Sequence, residues 1–189
     1  MVTVIATAFN EPRHNSPFVE SMLSQKDTKW NALIYHNGPN QEMKEWIESY
    51  KDHRLSYKES QINTGQWGTV NRHDAVKNII KTSYCINSSI QDYYLPNAIQ
   101  EINNVLESKP DLVHWQAINH LFRYSVLNGE IAWGHIDWGQ FCVKTEYIKN
   151  TGIVKADNFS GDWHTLQAII QKGYIRKINK IDKILCIHN

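Results

Sequence analysis

Four short segments gather the side chains that could hold a nucleotide: residues 8–13, 36–39, 63–68 and 88–96. Their hydroxyls, amides and carboxylates, among them Thr64, Asn37, Glu11 and Asp92, are the groups that bind a base, a ribose and a diphosphate. Loops are polar in any protein, so one such segment alone signifies little, whereas four in register point to a binding site. None contains G-x-G-x-x-G or G-x-x-x-x-G-K-[ST], which excludes a dinucleotide fingerprint and a P-loop and leaves a metal to help hold a diphosphate. Further along, Trp133, His135, Asp137, Trp138 and Trp163 mix flat apolar faces with hydrogen-bonding groups. That mixture suits sugar rings, and it is equally ordinary core and hairpin packing.

The elements that must position these residues follow from hydrophobic patterning. Val2–Ala8 is a short apolar, β-branched run that reads as a buried parallel strand, and Ser16-Pro17 opens a helix carrying Phe18, Val19, Met22 and Leu23. Trp30–Tyr35 is a second strand. Asn40 caps a helix on which Met43, Trp46, Ile47 and Tyr50 recur at helical spacing. A weak strand at Arg54–Tyr57, a helix with Val70, Ala75, Val76, Ile79 and Ile80, and a strand at Ser83–Asn87 continue the alternation. A helix opened by Pro96 and a strand at Asp111–Ala117 follow. Alternating strands and helices imply parallel strands with right-handed crossovers, whose ligands sit beyond the carboxyl ends of the strands. The second half breaks the rhythm, because Leu121–Leu127 and Glu130–Trp133 flank the hairpin signal Asn128-Gly129. Gln140–Lys144 reads as a strand and Trp163–Lys172 as a helix with Gly173 at C′. Short strands at Tyr174-Ile175 and Ile184-Leu185 end the chain.

The chain has 189 residues, about one domain's worth, with no linker or internal repeat. A 41% hydrophobic composition excludes intrinsic disorder. Twenty Lys and Arg against nineteen Asp and Glu provide no basic field, so nucleic acid is excluded as a natural partner. No stretch is long and apolar enough to span a bilayer, and the first residues lack a signal-peptide pattern, so a cytoplasmic protein is expected. Cys85, Cys142 and Cys186 are widely spaced in apolar surroundings and read as buried thiols.

Taken in order, Val4-Ile5-Ala6-Thr7-Ala8-Phe9-Asn10-Glu11, the Gly38 turn, Asn63-Thr64-Gly65, Asp92-Tyr93-Tyr94-Leu95-Pro96 and Gly161-Asp162-Trp163 resemble the landmarks of GT-A fold, family-2-like glycosyltransferases of the compact bacterial or large-virus type. The resemblance spans almost the whole chain. It implies an α/β GT-A domain over residues 1–189, with a nucleotide-binding half at 1–100 and an acceptor and catalytic half at 101–189. Thr7, Ala8, Phe9, Glu11 and Gly65 would line the nucleotide pocket, and Asn37 would stand in for the family's base-binding aspartate. Arg72 matches the arginine near the donor phosphates, where a guanidinium binds in bidentate fashion. The metal motif departs from the family's Asp-x-Asp: Ser89-Ile90-Gln91-Asp92 keeps one carboxylate. Asp92, the Gln91 carbonyl, the donor diphosphate and the late His188 would then share Mn²⁺ or Mg²⁺.

Asp162 resembles the catalytic base of inverting members. The expected reaction is transfer of a sugar from a nucleotide donor, a UDP-sugar first, to a carbohydrate acceptor. Two alternatives remain at this stage: a non-catalytic nucleotide-sugar or glycan-binding module of a longer polypeptide, and a retaining transferase on the same fold. A nucleotidyltransferase would need a basic glycine-rich loop after the first strand, which Phe9-Asn10-Glu11-Pro12 does not provide.

Overall fold

The computed structural model describes residues 1–10, 17–65, 68–120, 123–155 and 160–188. Strand β1 (Val2–Ala8) is buried along its whole length. Helix α1 (Pro17–Leu23) leads to β2 (Trp30–His36), α2 (Gln41–Ser49) and β3 (Leu55–Glu59). Asn40 caps α2, its side chain accepting from the Met43 N–H, which satisfies one of the orphan donors of the first turn. Helix α3 (Thr69–Asp74) runs into a π-helical turn at Ala75–Ile79 and then β4 (Tyr84–Ser89). After β5 (Tyr93–Tyr94) and α4 (Ala98–Leu106) come β6 (Leu112–Asn119), β7 (Ser125–Leu127) and a 3₁₀ turn at Trp138–Gln140. Strand β8 (Phe141–Lys144), α5 (Thr145–Thr151), α6 (Gly161–Gln171) and β9 (Ile178–His188) complete the described elements.

Together the strands form one mixed sheet in the order β3-β2-β1-β4-β8-β6-β9-β5, with β7 on β6. Strands β1 to β4 pair in parallel, as the strand-helix alternation implies. Because β2 and β3 lie on one side of β1 and β4 on the other, the chain reverses its winding between β1 and β4. In open sheets of this kind the carboxyl ends of two such strands are where a ligand crevice is expected. Strand β8 enters antiparallel between β4 and β6.

Two apolar clusters cover the two faces. Phe18, Met22, Met43, Ile47, Ile99 and Ile102 pack with Val4, Ala6 and Ile86 on one face. Ala75, Val76, Ile148, Leu166 and Ile169 pack with Ile5 and Cys85 on the other. Each fully buried large aliphatic side chain contributes about 1.5–3 kcal/mol, so β1, covered on both faces, anchors the sheet. All three cysteines are buried and free.

Two sequence readings of the second half are corrected. The hairpin does not turn at Asn128-Gly129. Instead β7 pairs back on β6, with Ala117 opposite Leu127 and Asn119 opposite Ser125, and Glu130–Trp133 is not a strand. Gly129 serves a different need: its φ is +64°, and a Cβ there would lie 2.0 Å from the Trp115 carbonyl oxygen. The strands read at Tyr174-Ile175 and Ile184-Leu185 are replaced by one strand, Ile178–His188, whose charged Lys180, Asp182 and Lys183 hide its continuity. Gly129→Ala is expected to destabilise the protein by about 2–4 kcal/mol, combining left-handed strain with a backbone clash. Urea unfolding measures it, and an unchanged midpoint would contradict the close approach.

Candidate active site

The β1–β4 region is built from the ends of the first strands. Thr7 and Ala8 are buried at the end of β1, and Phe9 beyond them is half-exposed. Gly68, with φ +73°, brings the start of α3 against Thr7; a Cβ there would sit 2.8 Å from the Thr7 Cβ. Asn37 is buried after β2 and ties down the loop that follows β3. Its Oδ1 accepts from the Thr64 N–H and hydroxyl, each at 2.9 Å, and its Nδ2 donates to Asn63 Oδ1 at 2.8 Å and to the Gly65 carbonyl at 3.4 Å. Asn37 therefore holds the shape of residues 63–65, with its amide engaged within the protein. Gly65 stands in the left-handed region, φ +63°, where glycine carries no Cβ penalty. Glu11 lies outside the described residues.

Deeper in, charged groups from both halves of the chain converge. Arg72 of α3 is buried and donates to the Ser88 carbonyl at 2.9 Å. Burial lowers its guanidinium to about 10, against the opposing pull of Asp92, Asp137 and Asp162, so it remains a cation at neutral pH. Asp92 is 2% exposed. Its Oδ2 accepts from the Ser88 hydroxyl at 2.6 Å and the Ser89 N–H at 2.8 Å, while Oδ1 accepts from His188 Nδ1 at 2.7 Å. Tyr94 backs this arrangement, its hydroxyl 3.2 Å from Ser88 Oγ. Gln91 is half-buried in the turn between β4 and β5, its N–H donating to Ser89 Oγ.

His188, near the end of β9, turns Nε2 toward Asp137 Oδ2 at 3.3 Å. Burial lowers its imidazolium, but Asp92, then Asp137 and Asp162, outweigh burial and raise it to about 9. Asp162, in the first turn of α6, accepts from the Trp163 N–H at 2.6 Å and hydrogen-bonds to Asp137. Burial first, and then the neighbouring Asp137 carboxylate, push Asp162 up to about 7, despite the helix start and Arg72. A helix-start acid without such neighbours is ordinarily held low by the dipole.

The sequence-selected residues Arg72, Asp92, Asp162 and His188 are thus brought together. Of the aromatic group, Trp138 packs on Phe141 and lies under the Arg72 guanidinium at 5.7 Å, while Trp133 stands 68% exposed. What sequence reasoning missed is the central place of Asp137, which it read as a companion for sugar rings and as the next candidate base after Asp162. A signal was present, since Asp137 and Gln140 have the spacing of a reciprocal helix cap.

The donor set also bears on a metal. Among the described residues no group of three or more His, Cys, Asp and Glu side chains is placed to hold an ion unaided. Asp92 Oδ1 and His188 Nδ1, 2.7 Å apart, are nonetheless close to the separation of about 3 Å that two ligands at right angles adopt on an ion with bonds of about 2.1 Å. A hard cation commonly takes one or two protein ligands and completes its shell with substrate phosphates and water. The residues fit a metal of that kind, provided that His188 gives up its proton.

Comparison with solved structures places this architecture. S. aureus TarS 1–349 superposes with a TM-score of 0.82 at 14% identity, covering 100% of this chain and 60% of that one. The fold is that of GT-A glycosyltransferases. The same protein in complex with UDP-GlcNAc matches at TM-score 0.81 and 14% identity, over 98% of this chain and 57% of that one. A mannosyltransferase from Pyrobaculum calidifontis in complex with GDP-Man and Mn²⁺ matches at 0.72 and 15%, over 99% and 56%. The chain therefore spans about 60% or less of the length of these structures. No family model and no curated protein matches the sequence. Among the described residues, no helix is long and apolar enough to cross a membrane.

Proposed function

We propose that this chain is a nucleotide-sugar-dependent glycosyltransferase domain, transferring a sugar from a UDP-sugar to a carbohydrate acceptor. The observation that carries this reading is a cluster of buried Arg72, Asp92 and Asp162 with half-buried His188 beyond the carboxyl ends of the parallel strands of a GT-A fold. Such a cluster costs stability, and within it the Asp162 carboxyl and the His188 imidazole are both raised from their ordinary values, as reacting groups are. Solved relatives by shape that hold UDP-GlcNAc or GDP-Man support the donor class.

In this reading Thr7, Ala8, Phe9 and the loop fixed by Asn37 and Gly65 receive the nucleoside, with Phe9 beside the base. Arg72 faces the diphosphate. Asp92 and His188, with Gln91 nearby, would hold Mn²⁺ or Mg²⁺, which when bound would neutralise charge on the departing diphosphate. The ionised Asp162 takes the proton of the acceptor hydroxyl as that oxygen attacks the anomeric carbon from the face opposite the diphosphate, so the anomeric configuration inverts.

Thermal-shift titrations with UDP, GDP, CMP and dTDP test the reading, each with Mn²⁺ and with EDTA, because a ligand selective for the folded state raises the melting temperature by mass action. UDP with Mn²⁺ is expected to give the largest shift, and transfer from a UDP-sugar should follow in a product assay. Equal UDP affinity in EDTA and in Mn²⁺ would remove the metal from the proposal. UDP binding without transfer to any acceptor would leave a binding module.

A further inference from the structure

Asp137 joins the site from a segment that neither nucleotide nor metal reasoning singles out. It precedes the 3₁₀ turn Trp138–Gln140 and caps it reciprocally: its Oδ1 accepts from the Trp138 N–H at 2.6 Å, and its own N–H donates to Gln140 Oε1 at 3.0 Å. Gln140 is fully buried, and its Nε2 donates to the carbonyls of Trp115 and Leu127, both at 3.2 Å. The backbone that carries Asp137 is therefore pinned to β6 and to the end of β7.

From that fixed point the carboxylate reaches two other elements. Oδ2 lies 3.3 Å from His188 Nε2 on β9 and 3.4 Å from Asn119 Nδ2, which donates to it from the end of β6. The same side chain hydrogen-bonds to Asp162 on α6. The two carboxyl groups share a proton while Asp162 is protonated, and once it ionises the Asp137 charge repels its oxygens, so in both states Asp137 limits how the Asp162 carboxyl is turned.

We propose that Asp137 is a positioning residue of the transfer reaction, a rigid bridge that sets the orientation of the Asp162 carboxyl and of the His188 imidazole relative to each other. It rests on the glycosyltransferase reading above. The placement of a base against the attacking oxygen tolerates little error, and a displacement near 1 Å can cost about 10²-fold in rate. Asp162 and His188 arrive from separate elements, and Asp137 contacts both.

Capping and bridging are separable by substitution. Serine is as good an N-cap as aspartate, but its hydroxyl ends one bond short of Asp162 and His188. Asparagine keeps both the cap and the reach. Asp137→Ser is expected to lower kcat by roughly 10- to 100-fold with the donor KM within about threefold, the pattern of an interaction needed in the transition state and not in binding. Its urea midpoint should match the wild type. Asp137→Asn should recover a large part of the lost kcat. A crystal structure of Asp137→Ser should show the Asp162 carboxyl or the His188 ring moved by about 1 Å or more, a readout independent of turnover.

A serine variant with wild-type kcat and unmoved Asp162 overturns the inference while leaving the glycosyltransferase reading intact. So does an asparagine variant no better than serine, or a kcat loss that tracks a loss of stability. A wild-type protein that binds no nucleotide and transfers no sugar overturns both.

Discussion

Asp162→Asn is expected to cut sugar transfer by roughly 10²–10⁴-fold, the usual worth of a general base, while making the protein more stable above neutral pH. The two effects share one cause. Asparagine keeps the shape and can still accept from the Trp163 N–H, but it cannot take the acceptor's proton. It also removes a carboxyl whose ionisation is disfavoured by burial and by Asp137. Because the folded-state value near 7 lies above the ordinary 3.8, the folded protein holds the proton more tightly than the unfolded chain does. Wild-type stability therefore falls as pH rises from about 4 through 7, and the deficit is complete above that window. The rise from 3.8 to about 7 sets a ceiling of about 4 kcal/mol on the stability that asparagine restores.

An acid that merely complements the helix dipole would behave in the opposite way, losing about 0.3–1 kcal/mol on neutralisation and keeping its turnover. Melting curves of both proteins at pH 5 and pH 8.5, alongside rates with a donor-acceptor pair the wild type uses, separate the two. UDP affinity should barely change. Undiminished transfer would move the base elsewhere, with Asp137 the next carboxyl in reach, or point to a retaining mechanism.

The first half of the fold was legible because its signals are local. Val2–Ala8 is uniformly apolar since both faces are covered, and Asn40 carries its own cap geometry. The second half was read less well where tertiary contacts override local preference. Asn128-Gly129 has the composition of a hairpin turn, yet Gly129 is there because the Trp115 carbonyl leaves no room for a side chain. Strand β9 looks broken because its exposed positions carry Lys180, Asp182 and Lys183, and its pairing with β6 shifts register around Trp115 to Ala117. The π-helical turn at Ala75–Ile79 left no recognisable pattern at all.

Within the site, Arg72, Asp92, Asp162 and His188 were found by motif order, which reports sequence spacing and not contact. Their convergence with Asp137 depends on β8 inserting between β4 and β6, an arrangement that no local periodicity encodes. Asn37 shows the converse limit. The family resemblance implies a base-binding role for it, and the tertiary contacts that engage its amide in holding residues 63–65 are not encoded in any motif.

The heaviest cost in stability is expected for Asp92→Ala. This carboxylate is buried and accepts from Ser88, Ser89 and His188, so its removal strands two donors and deprives a half-buried imidazolium of its partner. Breaking such a pair typically costs about 3–5 kcal/mol. The dependence on pH has a definite sign. His188 is raised from 6.5 to about 9, so the stabilisation it draws from Asp92 is fully present below about pH 6.5 and is lost as pH rises through 9. In EDTA, the gap between wild type and Asp92→Ala should therefore be widest near pH 6 and narrow toward pH 9.5. Asp92→Asn retains an acceptor for the Ser89 N–H and removes the charge, so it should recover part of the stability and leave only the weaker pH dependence that Asp137 and Asp162 sustain. Metal adds an independent reading, because a cation at Asp92 and His188 competes with the imidazolium proton. The Mn²⁺-dependent gain in UDP affinity should grow between pH 6.5 and 9 in the wild type and be absent from both variants. A gap that stays constant with pH would show that His188 is not the charged partner, and a Mn²⁺ gain that survives Asp92→Asn would place the cation elsewhere.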